Sequence, residues 1–292
     1  MDVSIIIVNY NTKDITYQCI ESIKKYTSGL KYEIILIDNN SDDGSKIFFD
    51  TVPEIKFIPS NENLGFGKAN NLGVQFASGE FVFLLNSDTI LFENSIYQLF
   101  DFFNQNEKQL NIGVLGASLL DSERSKNYSG GDFPTPFTTY ADLIKYYLKI
   151  KKKEIPTSNA DFYEVEMVTG ADMFLKKEMY TKLKGFDEKF FMYYEESDLQ
   201  HRIKSLGYKN YILNSVKIIH LEGMSFNKKK ENHKRIITQR SKNRYFAKNY
   251  KWLYPVYILV DGLLNVFRLC NLKYTWSENV SFIKENIKSY SN

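Results

Sequence analysis

The sequence predicts an α/β protein: a mostly parallel central sheet with flanking helices, followed by a helical C-terminal extension. Three observations carry that prediction. Short runs dominated by apolar residues, Val3–Val8, Glu33–Ile37 and Phe81–Leu85, lack the alternation of half-exposed strands and read as strands buried on both faces. Each stops abruptly in a polar cluster: Asn9-Tyr10-Asn11-Thr12, Asp38-Asn39-Asn40-Ser41 and Asn86-Ser87-Asp88. Helix-periodic segments lie between them, and strand–helix–strand succession implies parallel pairing with right-handed crossovers.

The elements follow in order. Ile15, Cys19, Ile23 and Tyr26 recur at helical spacing, which gives a helix over about 13–27 ended by Gly29. Ile55–Ile58 is a short strand. Asn61–Asn71, NENLGFGKANN, then opens a helix that ends over Phe76–Gly79. This loop of amides and glycines matches neither GxxxxGK[ST] nor GxGxxG, but Gly65 and Gly67 let backbone approach a ligand at a helix N-terminus. Ser95–Phe103 is an amphipathic helix and Ile112–Ala117 a strand. Asp121–Asn159 holds Gly130-Gly131, Pro134, Pro136 and the basic run Lys149–Lys153. It reads as a long, poorly ordered excursion over a cleft, with one helix near 137–149. Val165–Thr169 and Met173–Lys176 are strands around Gly170-Ala171-Asp172. Leu199, Ile203 and Leu206 form a helical stripe ended by Gly207, and Val216–His220 is the last strand.

Ligands bind beyond the carboxyl ends of strands in open α/β sheets. There Asp88, beside Asn86 and Ser87, suits a divalent ion with oxygen ligands; the plain alternative is a strand-end turn. Asp38 can accept hydrogen bonds from a base or ribose, or close an Asx-turn before a helix capped by Ser41 or Asp42. Glu195 and Glu196 flank the apolar stripe at its helix start, with Asp198 turned about 100° away. Acidic residues there complement the helix dipole. A partly buried one, its proton affinity raised, also suits a general base. His220, at a strand end beside small residues, is either structural or a ligand.

Seven segments in this order resemble family 2 glycosyltransferases of the inverting GT-A fold, and within them the bacterial rhamnosyltransferase-type members. They are SIIIVNYN at 4–11, LIDNNSDDGS at 36–45, NENLGFGKANN at 61–71, LLNSD at 84–88, VTGADMFLKK at 168–177, GFDEKFFMYYEESDL at 185–199 and IIHLEG at 218–223. The resemblance covers about 1–225 and implies a nucleotide-sugar donor, UDP- or dTDP-linked, with rhamnose among the candidate sugars. It implies Mg²⁺ or Mn²⁺ as cofactor and a glycan or lipid-linked glycan as acceptor. By similarity, Asp38 meets the nucleobase, with Asn9, Tyr10 and Asn39 nearby. Asn63, Gly65, Asn70, Asn86 and Ser87 line the donor site. Asp88 matches the last acid of the family's DxD element and binds metal, which His220 completes. Glu196 falls at the general-base position, and Gly170, Ala171 and Asp172 stand on the acceptor side. The chain departs from the pattern at Asn86, where the first acid of DxD is expected, at Glu196, where Asp is commoner, and at Leu221, where many relatives carry a second His. The residue types fit the chemistry: a metal neutralises the leaving diphosphate, and a carboxylate on the opposite face takes the acceptor's proton.

Composition bounds the rest. The 292 residues suffice for one large domain plus an appendage, and we divide them into a catalytic domain, 1–227, and an extension, 228–292. A net charge of +3 is too small to argue for nucleic acid. Cys19 and Cys270 lie far apart, and the first residues carry no basic stretch or cleavage site, so a cytoplasmic chain with reduced thiols is expected. Lys228–Lys251 is dense in cations and Trp252–Cys270 is apolar apart from Asp261 and Arg268. That pairing suits peripheral contact with the inner face of a membrane. The same segment could instead pack on the core or form a homodimer. Two rival functions remain: a sugar nucleotidyltransferase, against which Ser4–Thr12 has no glycine, and a non-catalytic sugar- or nucleotide-binding scaffold.

Overall fold

The computed structural model describes residues 1–147, 160–221 and 231–291. Its strands are β1 (Val3–Asn9), β2 (Tyr32–Asp38), β3 (Ile55–Pro59), β4 (Phe81–Asn86), β5 (Thr89–Ile90), β6 (Ile112–Leu120), β7 (Gly130–Gly131), β8 (Phe162–Val165), β9 (Met167–Val168), β10 (Asp172–Lys176) and β11 (Lys209–His220). Its helices are α1 (Lys13–Tyr26), α2 (Ser45–Phe49), α3 (Phe66–Gln75), α4 (Ser95–Leu110), α5 (Pro136–Tyr147), α6 (Lys177–Lys182), α7 (Glu195–Ser205), α8 (Glu231–Asn249), α9 (Tyr254–Leu269) and α10 (Trp276–Ser289). The main sheet runs β3-β2-β1-β4-β10-β6-β11-β5, with β8 also on β11.

The mostly parallel sheet is as expected. Ile5 of β1 stands opposite Ile34 of β2 and Phe83 of β4, all parallel. Alternate residues feed opposite layers. Ile5, Ile7, Leu36 and Phe83 pack on Cys19, Ile23, Leu99 and Phe103 of α1 and α4. Ile6, Ile35, Ile37 and Leu84 pack on Ala69, Val74, Leu199 and Ile203 of α3 and α7. With helices on both faces no strand can alternate in polarity, which is why these runs are continuous in sequence.

The central strand β10 runs antiparallel to both β4 and β6. A parallel neighbour needs a long crossover, and β10 is entered from the tight turn after β9 instead. Other expectations need correction. Val165–Thr169 is not one strand. β8 pairs with β11 and β9 with β7, and the break falls at Glu166, whose carboxylate accepts from Phe133 N at 2.8 Å and Lys204 Nζ at 2.5 Å. Neither Ser41 nor Asp42 caps α2. Gly44 does, at φ 84°, while Asp43 Oδ1 accepts from Ser45 N at 3.1 Å. Residues 121–147 are organised by β7 and α5; the basic run Lys149–Lys153 lies outside the described residues.

Beyond residue 230 the chain forms α8, α9 and α10. α8 packs on α7, and beside that contact Tyr245 and Phe246 of α8 cluster with Tyr257 of α9 and with Phe190 from the segment before α7, edged by Tyr140, Tyr194 and Tyr250. Around it, Lys248 Nζ lies 2.9 Å from both Asp187 and Asp198 carboxylates.

Candidate active site

The carboxyl ends of β1, β2 and β4 come together in one polar, hydrogen-bonded cluster. Asp38 is fully buried there; Oδ1 accepts from Asn9 Nδ2 at 2.8 Å and Oδ2 from Ser41 N at 3.1 Å. Asn9 Oδ1 in turn accepts from the Thr12 and Thr16 hydroxyls at 3.0 and 2.9 Å. The side chain of Asn9 is thus committed to orienting Asp38. Tyr10 is half-buried in the turn after β1. Thr12 Oγ1 lies 3.4 Å from Ser87 Oγ, which joins this turn to the end of β4.

Asn39 and Asn63 shape the glycine loop. Asn39 Nδ2 donates to Asn63 Oδ1 at 3.0 Å and to Gly65 O at 3.1 Å, and its Oδ1 accepts from Leu64 N at 2.8 Å. Gly65 has φ 78°, and a Cβ there would fall 2.0 Å from Phe191 O. That oxygen accepts from Phe66 N at 2.8 Å, so the start of α3 is stitched to the segment leading into α7. Only glycine permits both the left-handed backbone and the close approach. Asn70 is buried and donates back to Phe66 O at 3.0 Å.

At the end of β4, Asp88 Oδ1 lies 3.2 Å from His220 Nε2, and Asn86 Nδ2 lies 3.4 Å from the same nitrogen. Strand pairing makes this meeting: His220 stands opposite Thr89, and Leu221 N donates to Asp88 O at 2.9 Å. Neighbouring ligands of an octahedral ion with bonds of about 2.1 Å lie about 3 Å apart. The Asp88–His220 spacing therefore fits one edge of such an ion, and one carboxylate with one imidazole is a suitable donor pair for Mn²⁺. Among the described residues no three His, Cys, Asp or Glu side chains cluster, so substrate oxygens and water would complete the shell.

α7 begins after two tyrosines in left-handed conformation, Tyr193 at φ 72° and Tyr194 at φ 68°. Aromatic residues rarely adopt it, and such strain concentrates at functional sites. It sets Glu195 and Glu196 at the helix start with different surroundings. Glu195 is buried against Gly67, and its Oε2 has no hydrogen-bond partner among the described residues. Burial, reinforced by the charge of Glu196, holds its carboxyl well above the usual range. Glu196 remains partly exposed, and desolvation raises it too. Its Cβ and Cγ lie 3.7 Å from where a side chain on Gly170 would begin. Ala171 O accepts from Asn86 N at 2.9 Å. Gly170-Ala171 thus bridges Glu196 to the end of β4.

Two expected site residues face elsewhere. Asp198 is fully buried in an ion-pair network, 3.0 Å from Arg202 Nε and 2.9 Å from Lys248 Nζ. It lies one helical turn after Glu195, and its pairing with Lys248 ties it to α8. Asp172 is also fully buried, inside the sheet, where Oδ2 accepts from Ala117 N at 2.6 Å between β10 and β6. Of the acceptor-side trio, Gly170 lies beside Glu196, and Ala171 contributes its backbone. Sequence reasoning missed Gln200, whose amide accepts from Val168 N and donates to Val168 O, both at 2.8 Å. It clamps β9 and so holds the turn carrying Gly170. The signal was there, because Gln200 sits one helical turn after Glu196.

The model of glycosyl transferase family 2 matches residues 4–183. A low-salt glycan biosynthesis hexosyltransferase of Haloferax volcanii is 25% identical over 207 residues, 70% of this chain and 62% of that protein. A glycosyltransferase of Streptococcus pneumoniae is 30% identical over 115 residues, 38% of each chain. The match therefore spans less than two thirds of either relative. An N-acetylglucosaminyl-diphospho-decaprenol L-rhamnosyltransferase of Mycobacterium tuberculosis is 24% identical, covering 68% of this chain and 70% of its own. Among solved structures, a mannosyltransferase of Pyrobaculum calidifontis in complex with GDP-Man and Mn²⁺ superposes with TM-score 0.55 at 16% identity, over 99% of this chain and 73% of that one. S. aureus TarS gives 0.54 at 13%, over 99% and 72%.

Proposed function

Because the chain belongs to glycosyl transferase family 2 and has the GT-A fold, we propose that it transfers a sugar from a nucleotide donor to a hydroxyl of a growing cell-surface glycan. The donor is a UDP- or dTDP-sugar, with rhamnose a candidate. Asp38, Asn39, Asn63 and the Gly65 loop form the nucleoside end of its site. Asp88 and His220 would hold Mg²⁺ or Mn²⁺, which neutralises the charge developing on the leaving diphosphate. Glu196 takes the proton of the acceptor hydroxyl. The acceptor oxygen bonds to the anomeric carbon as the sugar–phosphate bond breaks on the opposite face, so configuration inverts. No covalent enzyme intermediate is required.

The observation that carries this reading is the position of Glu196. Of the three acids in the first turn of α7, Glu195 and Asp198 are buried, and Glu196 alone stays partly exposed. It sits one short bridge, Gly170-Ala171, from the Asp88–His220 pair. Relatives of the chain support a lipid-linked or polymeric acceptor: one is a diphospho-decaprenol rhamnosyltransferase and another acts on poly(ribitol-phosphate). Such an acceptor and a nucleotide donor fit a chain working at the inner face of the membrane. The test is thermal shift against a panel of nucleotide-sugars with Mn²⁺. A donor present at 100 times its Kd stabilises the fold by about 2.7 kcal/mol, so one should stand out. Donor hydrolysis with that sugar separates an enzyme from a binding scaffold. A panel in which no nucleotide shifts the transition would overturn the reading.

A further inference from the structure

Helix α9 is built inside out. Its buried residues are Tyr257, Asp261 and Asn265. Its outer face exposes Val256, Leu259, Leu263, Val266 and Phe267, each between 59% and 66%. In water the opposite arrangement prevails, with the polar stripe outward.

The inner polarity is satisfied by the bundle itself. The Asp261 carboxylate accepts from Arg268 Nη2 at 2.5 Å, Tyr290 OH at 2.6 Å and Asn286 Nδ2 at 2.7 Å. Asn286 Oδ1 accepts from Asn243 Nδ2 at 2.8 Å. The only two charges between residues 252 and 272, Asp261 and Arg268, thus pair with each other on the inner side. The outer face is left without charge along the whole helix.

Its ends are marked by a different chemistry. Trp252 is 97% exposed and Trp276 67% exposed, and Leu272 extends the stripe at 98%. Lys251 precedes the stripe and Lys273, which also pairs with Glu231 at 3.1 Å, follows it. With the helix lying flat, the apolar face reaches acyl chains, while indole groups at both of its ends sit at the headgroup boundary and the ammonium groups beside them near phosphate. A second copy of the chain would explain the apolar stripe but not these ends. At 16 residues α9 is about 24 Å long, and no described helix is long and apolar enough to cross a membrane.

We propose that the outer face of α9 is a lipid-docking surface that lies in the plane of an anionic bilayer interface, with Trp252 and Trp276 at the headgroup boundary. The surface is connected to the candidate site through the helical bundle. Tyr140 OH donates to Tyr257 O at 2.8 Å, and Tyr194, which leads into Glu195-Glu196, packs on Tyr245 and Phe246. Docking therefore presents the site to an acceptor carried on a lipid; only that choice of acceptor rests on the transferase reading.

The test uses the full chain and its own tryptophans, because the sequence has two and both belong to the proposed surface. With phosphatidylglycerol-containing vesicles at low salt, emission should shift to the blue and the protein should co-sediment. Pure phosphatidylcholine vesicles or high salt should weaken binding without abolishing it. Leu259→Glu with Leu263→Glu should lower the partition coefficient on the order of tenfold or more per site, the worth of one inserted aliphatic side chain. Both positions are exposed, so the melting temperature and donor hydrolysis should hold. Wild-type protein that stays with the aqueous phase at low salt, or a double variant that sediments like wild type, overturns the proposal. So does a double variant that merely splits a dimer, which would assign the face to a second copy. Vesicle binding without any donor hydrolysis would remove the transferase reading and leave the docking surface standing.

Discussion

Glu195 and Glu196 are adjacent in sequence, yet their surroundings assign them different work. Glu195 is buried on Gly67, and burial, reinforced by the charge of Glu196, pushes its carboxyl well above the usual carboxylate range. Glu196 keeps solvent contact and is the proton acceptor in the proposed mechanism. Glu196→Gln should therefore cut transfer by roughly 10²–10⁴-fold while donor affinity barely changes. Glu195→Gln, which keeps the shape of a buried side chain that takes no part in the proposed proton transfer, should retain activity within a few-fold. Steady-state kinetics of both variants decides, and a larger loss in Glu195→Gln would reverse the assignment. The pH profile makes a second prediction. Transfer needs Glu196 deprotonated, and burial raises it above the ordinary glutamate value of 4.5. The rate should thus climb with pH through a value above 4.5. An acid limb at the ordinary value would show that Glu196 is solvated like a surface residue.

At the scale of elements, α7 is the hub. Its first turn carries the glutamates, Gln200 clamps β9, and Asp198 with Arg202 faces α8 and the 183–185 turn, where Arg202 donates to Leu183 O at 2.7 Å and Gly185 O at 2.8 Å. α8 closes the other side through Arg244 and Lys248, 3.1 and 2.9 Å from Asp187. Hydrogen bonds from Lys248, Lys189 N and Arg244 outweigh burial and hold the Asp187 carboxyl down at about 2, against 3.8 unperturbed. A carboxylate with a depressed folded value stabilises fully above its unfolded value and loses that stability as pH falls through the folded one. The contribution is on the order of 2 kcal/mol, and it should vanish between about pH 4 and pH 2. The expected outcome is acid undocking of α8, read from near-ultraviolet circular dichroism of the buried tyrosines Tyr245 and Tyr257. Asp187→Asn should shift that loss to neutral pH; an unchanged acid transition in the variant would clear Asp187 of the role.

At the scale of the whole molecule, the sheet was legible because continuous burial leaves a run dominated by apolar residues, as in β1 and β4. The polar strand ends were legible for the same reason, since the change from Leu85 to Asn86 is abrupt. Side-chain direction was not. Asp198 and Asp172 carry the residue type of a site and serve packing instead, and which face they meet depends on α8 and on β6, elements distant in sequence. The reversed β10 was hidden too, because strand direction is set by the connection and leaves no mark in a five-residue run. α10 went unread because its buried side includes Asn279, Asn286 and Ser289, which break the apolar period. The central claim is that donor and divalent ion meet at the end of β4. Calorimetric titration of UDP, dTDP and GDP with and without Mn²⁺, on wild type and Asp88→Ala, tests it most directly. The account predicts that Mn²⁺ tightens one nucleotide in the wild type and that Asp88→Ala abolishes the Mn²⁺ effect with its melting temperature preserved. The same Mn²⁺-dependent affinity in Asp88→Ala would contradict it.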